Sequence, residues 1–247
     1  MIAQRYLIVN ADDFGQSPGI NRGMIEAHEN GIVTSASLMV RWPAAAEAAQ
    51  YARAHPDLSV GLHLDLCEWE CRDDNWSPLY EVVPTEDAAA VAAEVDRQVA
   101  TFRELLGRNP THLDSHQHVH KAEPVRSIMI ETARRLRIPL RDCDPEISYS
   151  GRFYGQSANG YPYPEGISIE SLLATIRGLP SGVIELGCHP GLPDDLNSMY
   201  RAERIQEVRV LCDRRAREGI DAEGIQLRSF LSIATELRRE LEAAEVA

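Results

Sequence analysis

The feature that most constrains this chain is the alternation of short β-branched runs with longer stretches of helical period. Alternation of this kind is typical of an α/β fold with a parallel sheet. The pattern predicts strands at residues 6–10, 32–40, 58–66, 111–116, 138–143, 183–188 and 224–227. It predicts helices at residues 20–30, 44–54, 85–106, 122–136, 169–179, 202–218 and 230–243.

The number and order of these elements favour one architecture within the α/β class. About seven strand-and-helix units in 247 residues fit an irregular (β/α) barrel, TIM-barrel-like, that forms a single domain over residues 1–247. An open doubly wound sheet fits less well, because no Gly-x-Gly-x-x-Gly turn follows the first strand. Residues 67–84 and 145–166 follow neither period. Because the loops after the strands build the active face of a barrel, we expect both segments to contact substrate.

Charge and composition exclude several classes of partner. The chain has 25 Lys and Arg residues against 38 Asp and Glu residues, for a formal net charge of −13, and this acidity disfavours nucleic acid and anionic membrane surfaces. No apolar run approaches the roughly 20 residues of a membrane span and no signal segment is recognisable, so we expect a cytoplasmic protein. The five cysteines are odd in number and scattered, which argues against a disulfide framework. The alanine-rich outer helices would permit a homodimer.

Two adjacent carboxylates, Asp12 and Asp13, lie where the first predicted strand opens into a turn. Like charges side by side are costly without a cation or hydrogen-bond donors. In one interpretation, one carboxylate caps the following helix and the other is solvated. In the other, adjacent strand residues point to different sides, so that one carboxylate binds a metal and the other accepts a proton.

The fourth predicted strand contains a run of histidines. Ionisable residues occupy every second position of this run, and an extended chain would place them all on one face: His112, Asp114, His116, His118 and His120. Crowded imidazoles gain little without a cation or a carboxylate, so a metal or a proton relay explains the run better than an incidental surface cluster. A catalytic metal leaves a position open for water, so we expect at most two histidine ligands from this region.

Two further histidines lie near the carboxyl ends of predicted strands. His63 lies in the third strand, and His189 follows a late strand and precedes a Pro-Gly turn. A lone histidine in a strand such as that of His63 is usually a hydrogen-bonded core residue, and His189 by itself is a weak signal. In a barrel, however, the carboxyl ends of the strands meet at one mouth, which would bring these histidines close to Asp12, Asp13 and His116.

Aromatic side chains occupy the segments that would surround this mouth. Trp69 and Trp76 follow the third strand, and Tyr154 lies in the irregular middle segment. Aromatic planes at a pocket rim suit stacking against sugar rings, although each of these side chains could equally pack its own loop. A carboxylate or phosphate of a substrate could be bound by Arg152, Arg201 or Arg204, but exposed arginines on helices are commonplace.

Three separated segments carry a family resemblance: LIVNADDFG at the start, GLHLDL in the third strand and THLDSHQHVH in the fourth. Together with the late CHPG, they resemble the YdjC-like carbohydrate deacetylases, the group that includes chitooligosaccharide deacetylase and the hopanoid-associated HpnK proteins. The resemblance implies an irregular (β/α) barrel that uses a divalent metal to remove acetyl groups from N-acetylated sugars. One position departs from the pattern, since relatives often carry histidine where this chain has Gln117.

The same resemblance implies roles for individual residues. It implies that Asp13, His63 and His116 hold the metal. It also makes Asp12 the general base and His189 the candidate general acid. The remaining histidines of the run, His118 and His120, and the aromatic residues Trp69, Trp76 and Tyr154 become candidate contacts to the substrate.

The chemistry of such a site suits amide hydrolysis. A bound divalent ion polarises the carbonyl of an unreactive amide and lowers the pKa of a bound water. Mixed nitrogen and oxygen ligands suit Zn²⁺, Mn²⁺ or Fe²⁺, whereas Mg²⁺ prefers oxygen; the candidate cofactor is one divalent ion, Zn²⁺, Mg²⁺ or Mn²⁺. The predicted partner is a small carbohydrate. The alternatives are a metallohydrolase of another bond, such as a phosphoester, and a barrel that binds sugar without turnover.

Overall fold

The computed structural model describes residues 4–72, 74–192, 195 and 198–233. The strands of this part of the chain are β1 (Arg5–Phe14), β2 (Ser35–Leu38), β3 (Ser59–Leu64), β4 (Cys67–Arg72), β5 (Asn75–Glu81), β6 (Leu113–Ser115), β7 (Ile147–Ser150), β8 (Gly182–Cys188) and β9 (Gln226–Arg228). Its α-helices are α1 (Pro18–Glu29), α2 (Ala45–Ala54), α3 (Ala88–Leu106), α4 (Val125–Leu136), α5 (Ile169–Arg177), α6 (Ala202–Leu211) and α7 (Arg214–Ala222). Within the described residues, no helix combines the length and apolar character that crossing a bilayer requires.

A parallel sheet organises the molecule. Its strand order is β6-β3-β2-β1-β8-β7, and β9 pairs with the central strand β1. Between the end strands β6 and β7, the described chain makes a single bridge, from Leu113 to Leu140. The predicted α/β fold with an irregular, barrel-like sheet is therefore confirmed, and the sheet has the form of a half-barrel.

The helices form where sequence signals for their ends flank an apolar stripe. In α3, the Asp87 side chain accepts hydrogen bonds from the backbone N–H groups of the first turn, and Gly107 ends the helix in a left-handed conformation with a φ of 69°. Apolar residues three or four positions apart bury one face of this helix: Val91, Val95, Val99 and Phe102. Packing of this stripe against the sheet contributes to the main core.

One predicted strand is absent from the sheet. Residues 138–143 do not form a strand; instead, the Leu113 N–H donates to the Pro139 carbonyl and the Arg141 N–H donates to the Leu113 carbonyl, both at 2.9 Å. These two bonds support only the isolated bridge at Leu140. The apolar run around Arg141 resembles a strand in sequence. In the structure, however, the Arg141 side chain is buried and paired with the carboxylates of Asp12, Asp114 and Glu185.

Other boundaries also differ from the prediction. Residues 67–84 contain the antiparallel hairpin β4–β5, and residues 145–166 contain the short strand β7. The predicted helix 202–218 is two helices, α6 and α7, because the Asp213 side chain caps a new helix by accepting from the Arg215 N–H. The predicted helix 230–243 lies outside the described residues beyond Ile233.

We expect Gly23→Ala to destabilise the protein because α1 packs backbone against backbone at this position. A Cβ atom on Gly23 would lie 2.3 Å from the Cα of Gly191, in the loop that follows β8. Overpacking of this kind typically costs about 1–3 kcal/mol, and urea denaturation would measure the loss. Gly178→Ala is the matched control, because the nearest atom to its added Cβ lies at 3.5 Å. Equal stability of the two variants would contradict the expectation.

Candidate active site

The carboxyl ends of four strands open into one cavity of about 550 Å³. Asp12 and Asp13 enter this cavity from β1, His63 from β3, His116 from the turn after β6, and His189 from the end of β8. The structure therefore brings together the five residues that the sequence analysis selected for metal binding and acid–base chemistry.

Asp13 links the histidines of the site. Its backbone is left-handed, with a φ of 65°, where the register between β1 and β2 shifts. Its Oδ1 lies 3.2 Å from His63 Nε2 and 3.1 Å from His116 Nδ1, while Arg204 donates to its Oδ2 at 2.6 Å. Burial disfavours the charged carboxylate, yet Arg204 and then His116 outweigh burial and hold the pKa of Asp13 well below its ordinary value.

Asp114 fixes the orientation of His63. The register between β3 and β6 pairs these two buried residues, and His63 Nδ1 lies 2.8 Å from Asp114 Oδ1. The contact leaves His63 Nε2 directed at Asp13, and a carboxylate on the outer nitrogen of a ligating histidine is the usual arrangement at metal sites. Burial lowers the pKa of His63, but Asp114 and Asp12 outweigh it and raise this pKa well above its ordinary value.

Two groups of side chains bring three potential ligand atoms within 4.8 Å of one another: Asp13, His63 and His116, and Asp12, His63 and Asp114. In the second group, the Arg141 guanidinium already contacts both oxygens of Asp12 and Oδ2 of Asp114. In the first group, Asp13 directs one free oxygen at both imidazoles. One carboxylate and two imidazoles suit a divalent ion and leave a coordination position for water, so the first group fits a metal.

Asp12 has a different partner from its neighbour in the sequence. Arg141 donates to its Oδ2 at 2.6 Å and to its Oδ1 at 2.7 Å. The same fully buried guanidinium lies 2.8 Å from Asp114 and 2.7 Å from Glu185. Burial disfavours the ionised form of Asp12, but Arg141 outweighs burial and lowers the pKa of this carboxyl. Asp12 is therefore ionised at neutral pH.

His189 approaches Asp12 from the loop after β8. Its Nε2 lies 3.7 Å from Asp12 Oδ2. Its backbone N–H donates to the buried carboxyl of Glu207, which also accepts a hydrogen bond from the Tyr200 hydroxyl and so anchors the loop. Burial lowers the pKa of His189 to about 4, so its imidazole is neutral at pH 7.

The histidine run does not remain extended. β6 ends at Ser115, and residues 116–121 form a 3₁₀ turn in which Gln117 and His118 have φ angles of 49° and 55°. The turn places His118 on the cavity wall, whereas His120 is buried outside the cavity with its Nδ1 2.6 Å from Ser115 Oγ. The expectation of one common face is therefore wrong, because the chain leaves the strand conformation immediately after Ser115.

His112 has a structural position at the other end of the same run. Its ring stacks on Phe230 with centroids 3.8 Å apart, and it does not line the cavity. Burial lowers its pKa to about 3, so it packs as a neutral ring. Of the histidines in this run, His116 and His118 line the cavity.

Aromatic side chains form much of the outer cavity wall. Trp69 and Trp76 reach the cavity from the hairpin β4–β5, and Tyr154 reaches it from the segment after β7. The Tyr154 ring lies 5.4 Å from the ring of His189. Arg204 also lines the cavity, but its bond to Asp13 means that it is not a free cation for a substrate anion.

Sequence reasoning missed the most heavily bonded charge of the site, Arg141. The available signal was an arginine within an apolar run, since a charge in a buried segment requires a partner. Glu185 gave the same signal, because it is a charged residue among the otherwise uncharged residues of β8. Glu207 and Tyr200 belong to no motif, and only the tertiary structure shows that Glu207 bonds both the His189 N–H and the Tyr200 hydroxyl.

Comparison with known proteins gives a consistent family match. The family model described as YdjC-like protein matches residues 6–222. A carbohydrate deacetylase from Geobacillus stearothermophilus is 34% identical over 92% of this chain and 97% of the relative. A chitooligosaccharide deacetylase from Klebsiella pneumoniae is 33% identical over 93% of this chain and 100% of the relative.

Solved structures show the same architecture. A protein from Enterococcus faecalis, named for cellobiose-phosphate cleavage, has a TM-score of 0.77 and 28% identity, covering 94% of this chain and 99% of the other. A family 4 carbohydrate esterase from Streptomyces lividans has a TM-score of 0.54 and 13% identity, covering 91% of this chain and 92% of the other. The second likeness concerns the fold alone.

We expect His63→Gln and His116→Gln to weaken Zn²⁺ binding by about 100-fold or more, because even loss of a residue that supports a ligand costs roughly 10- to 100-fold. His112→Gln is the matched control, since His112 belongs to the same run but lies outside the cavity. Competition with a chromophoric chelator on folded protein measures the affinities. Similar affinities for all three variants would exclude this ligand set.

We also expect Zn²⁺ binding to release protons near pH 7. Burial opposes protonation of His63 and His116, but Asp114 for His63 and Asp13 for His116 outweigh it and raise both pKa values above the ordinary 6.5. The metal-free site therefore holds protons that an ion must displace, and affinity rises with pH through the neutral range. Calorimetric titration in buffers of different ionisation enthalpy measures the release. Binding heats that do not depend on the buffer would contradict it.

Proposed function

This chain belongs to the YdjC-like protein family, and from that premise we propose that it is a metal-dependent hydrolase that removes acetyl groups from N-acetylated sugars. The products would be acetate and a free amino sugar, and the substrate would be N-acetylglucosamine, a chitooligosaccharide or a related acetamido sugar. The observation that carries the proposal is the separation of two adjacent carboxylates. Asp13 faces two imidazoles, whereas Asp12 is held by Arg141 beside His189.

Asp13, His63 and His116 would hold the ion, which when bound polarises the acetamide carbonyl and acidifies a water molecule. Zn²⁺, Mn²⁺ and Mg²⁺ are the candidates, and the two nitrogen ligands favour the first two. The chain prepares this ligand set before any ion arrives. Asp114 holds the ring of His63 and Arg204 holds the second oxygen of Asp13, so little reorganisation is needed.

Asp12 is the proposed general base. It is ionised at neutral pH, and the bidentate contact with Arg141 prevents the carboxylate from rotating away from the cavity. A carboxylate of low pKa is a weak base, and a bound ion that acidifies the water would reduce the base strength that the transfer requires. His189 Nε2, 3.7 Å from Asp12, is the next acceptor for that proton.

His189 is the proposed acid for the departing amine. A neutral imidazole cannot donate to the amine nitrogen until it has gained a proton, and burial keeps His189 neutral near pH 7. A proton that passes from water through Asp12 to His189 would supply this need. The net transfer is then from the attacking water to the amine, and base and acid act in sequence.

The alternative functions receive less support. A phosphoester substrate would require a cationic cradle, and among the described residues that line the cavity the arginine, Arg204, is already paired with Asp13. A barrel that only binds sugar would need neither the base Asp12 nor the acid His189. We propose that residues 1–247 act as one catalytic domain, since the family match spans most of the chain.

Acetate release tests the proposed reaction. Chelator-treated protein is incubated with N-acetylglucosamine, N,N′-diacetylchitobiose and longer chitooligosaccharides, with and without Zn²⁺, Mg²⁺ or Mn²⁺. We expect acetate release that depends on the added ion and on the sugar. No acetate from any member of the panel with any ion would contradict the proposed activity toward these sugars.

In the same assay, we expect Asp12→Asn to lower turnover by about 10²- to 10⁴-fold, the usual effect of removing a well-placed base. Zn²⁺ content should remain unchanged, because Asp12 is not one of the proposed ligands. Asp96→Asn, an exposed residue on α3 paired with Arg135, is the control and should keep full turnover. A fully active Asp12→Asn variant would remove Asp12 from the role of base.

A further inference from the structure

The hairpin β4–β5 presents a pair of indoles to the cavity. Its register pairs Trp69 with Pro78 and Cys71 with Trp76, so these four residues share one face of the hairpin. Trp69 and Trp76 are diagonal neighbours on that face, and both line the cavity although they are 42% and 49% exposed. We call this pair the indole plate. Large exposed aromatic surfaces on a cavity wall are suited to packing against the face of a sugar ring.

The plate begins beside the histidines and extends away from them. Glu68, the residue before Trp69, has its Oε2 4.0 Å from His116 Nε2. Trp69 therefore lies one residue further out along β4, and Trp76 is still more exposed on the neighbouring strand. A sugar whose acetamido group reaches Asp13 and the histidines would place its next ring, rather than its reacting ring, against the plate.

Gln117, in the turn after β6, holds the plate through the backbone of Trp69. Its Nε2 donates to the Trp69 carbonyl at 2.7 Å, and its Oε1 accepts from the Trp69 N–H at 2.9 Å. The side-chain amide thus bonds both backbone polar groups of Trp69, as a neighbouring strand would. The contact lies where the register between β4 and β5 shifts, next to Glu68, so the hairpin is irregular at the point that Gln117 supports.

The backbone of Gln117 supports a functional interpretation of this contact. Gln117 and His118 are consecutive left-handed residues without glycine, with φ angles of 49° and 55°. Such conformations are costly for residues with side chains and persist where the surrounding structure requires them. Here the left-handed residues follow His116 directly. The same turn therefore carries a proposed metal ligand, His116, and the side chain that bonds Trp69, Gln117.

We propose that Gln117 is a positioning residue that holds the indole plate as a subsite for a second sugar ring. The proposal rests on the proposed function, since it concerns the same site and the same class of substrate. The base of the hairpin is anchored independently, because Tyr80 donates to the buried Asp65 at 2.8 Å and the Val82 N–H donates to the Leu66 carbonyl at 2.7 Å. Loss of Gln117 would therefore release the plate without unfolding the hairpin.

Gln117→Asn is the decisive variant. Asparagine tolerates the left-handed backbone and keeps an amide, but it is one methylene too short to reach Trp69. We expect KM for N,N′-diacetylchitobiose to rise about tenfold, the effect of losing two modest hydrogen bonds, while kcat and Zn²⁺ affinity stay within about twofold. KM for N-acetylglucosamine should change by less than about twofold, because one ring at the proposed metal site does not need the plate.

Two further variants distinguish positioning of the indole plate by Gln117 from a general loosening of the hairpin β4–β5. Gln117→Glu keeps an acceptor for the Trp69 N–H but replaces the donor with an oxygen that repels the Trp69 carbonyl, so its KM for the disaccharide should also rise. Tyr161→Phe removes an exposed bond of 2.6 Å to Asp74 at the other end of the hairpin and should leave KM unchanged. Amide hydrogen exchange at Trp69 should accelerate in Gln117→Asn only.

The outcomes distinguish this proposal from the proposed function. If the wild type releases acetate from no sugar of the panel, the proposed function fails. If it deacetylates N-acetylglucosamine but neither deacetylates the disaccharide nor binds it in a tryptophan-fluorescence titration, the subsite is wrong and the proposed function stands. If the wild type is active but Gln117→Asn has an unchanged KM for the disaccharide, the positioning role is wrong. Equal increases in KM for N-acetylglucosamine and for the disaccharide, or loss of Zn²⁺ binding, would also contradict the positioning role. They would show that Gln117 supports the turn that carries His116.

Discussion

The candidate site depends on one buried guanidinium, that of Arg141. It lies within 2.8 Å of three carboxylates, Asp12, Asp114 and Glu185, which come from β1, β6 and β8. Without this cation, three acidic groups would share a dry interior, and either protonation or local unfolding would follow. Burial already raises the pKa of Glu185 to about 7 despite the guanidinium, which shows how narrowly the charges balance. Arg141 directly follows Leu140, whose bridge to Leu113 lies between the end strands β6 and β7.

The guanidinium also explains how two adjacent carboxylates acquire different roles. Arg141 occupies both oxygens of Asp12, whereas Arg204 occupies one oxygen of Asp13 and leaves the other directed at the histidines. The left-handed backbone at Asp13 separates the two side chains at the end of β1. One carboxylate is therefore free to bind a cation, and the other stays ionised beside His189. The proposed ligand set and the proposed base need this asymmetry, which an ordinary strand end would not provide.

The outer wall of the cavity is built differently from its floor, which contains Asp12, Asp13 and the histidines. On the floor, Asp12 and Asp13 are buried, and each is paired with a buried arginine, so their positions are fixed. On the wall, Trp69, Trp76 and Tyr154 are partly exposed and reach the cavity from the hairpin and the segment after β7. The hairpin is held by a few specific contacts, including the Gln117 amide and the Tyr80 hydroxyl. The proposed chemistry and the proposed recognition of sugar rings therefore lie in separate parts of the chain.

The sequence by itself determined the α/β class and the residues at the strand ends, because the hydrophobic period and the crowded ionisable groups are local signals. It placed Asp12, Asp13, His63, His116 and His189 at one mouth, since parallel strands end at the same edge of a sheet. Tertiary structure alone decided the rest. β6 ends at Ser115, and the left-handed residues Gln117 and His118 turn the rest of the histidine run away from the strand direction. Residues 138–143 form only a bridge, and the Arg141 side chain there binds buried carboxylates. An arginine in an apolar run signals a buried charge, but its pairing with Asp12, 129 residues away in sequence, leaves no local pattern and became visible only in the fold.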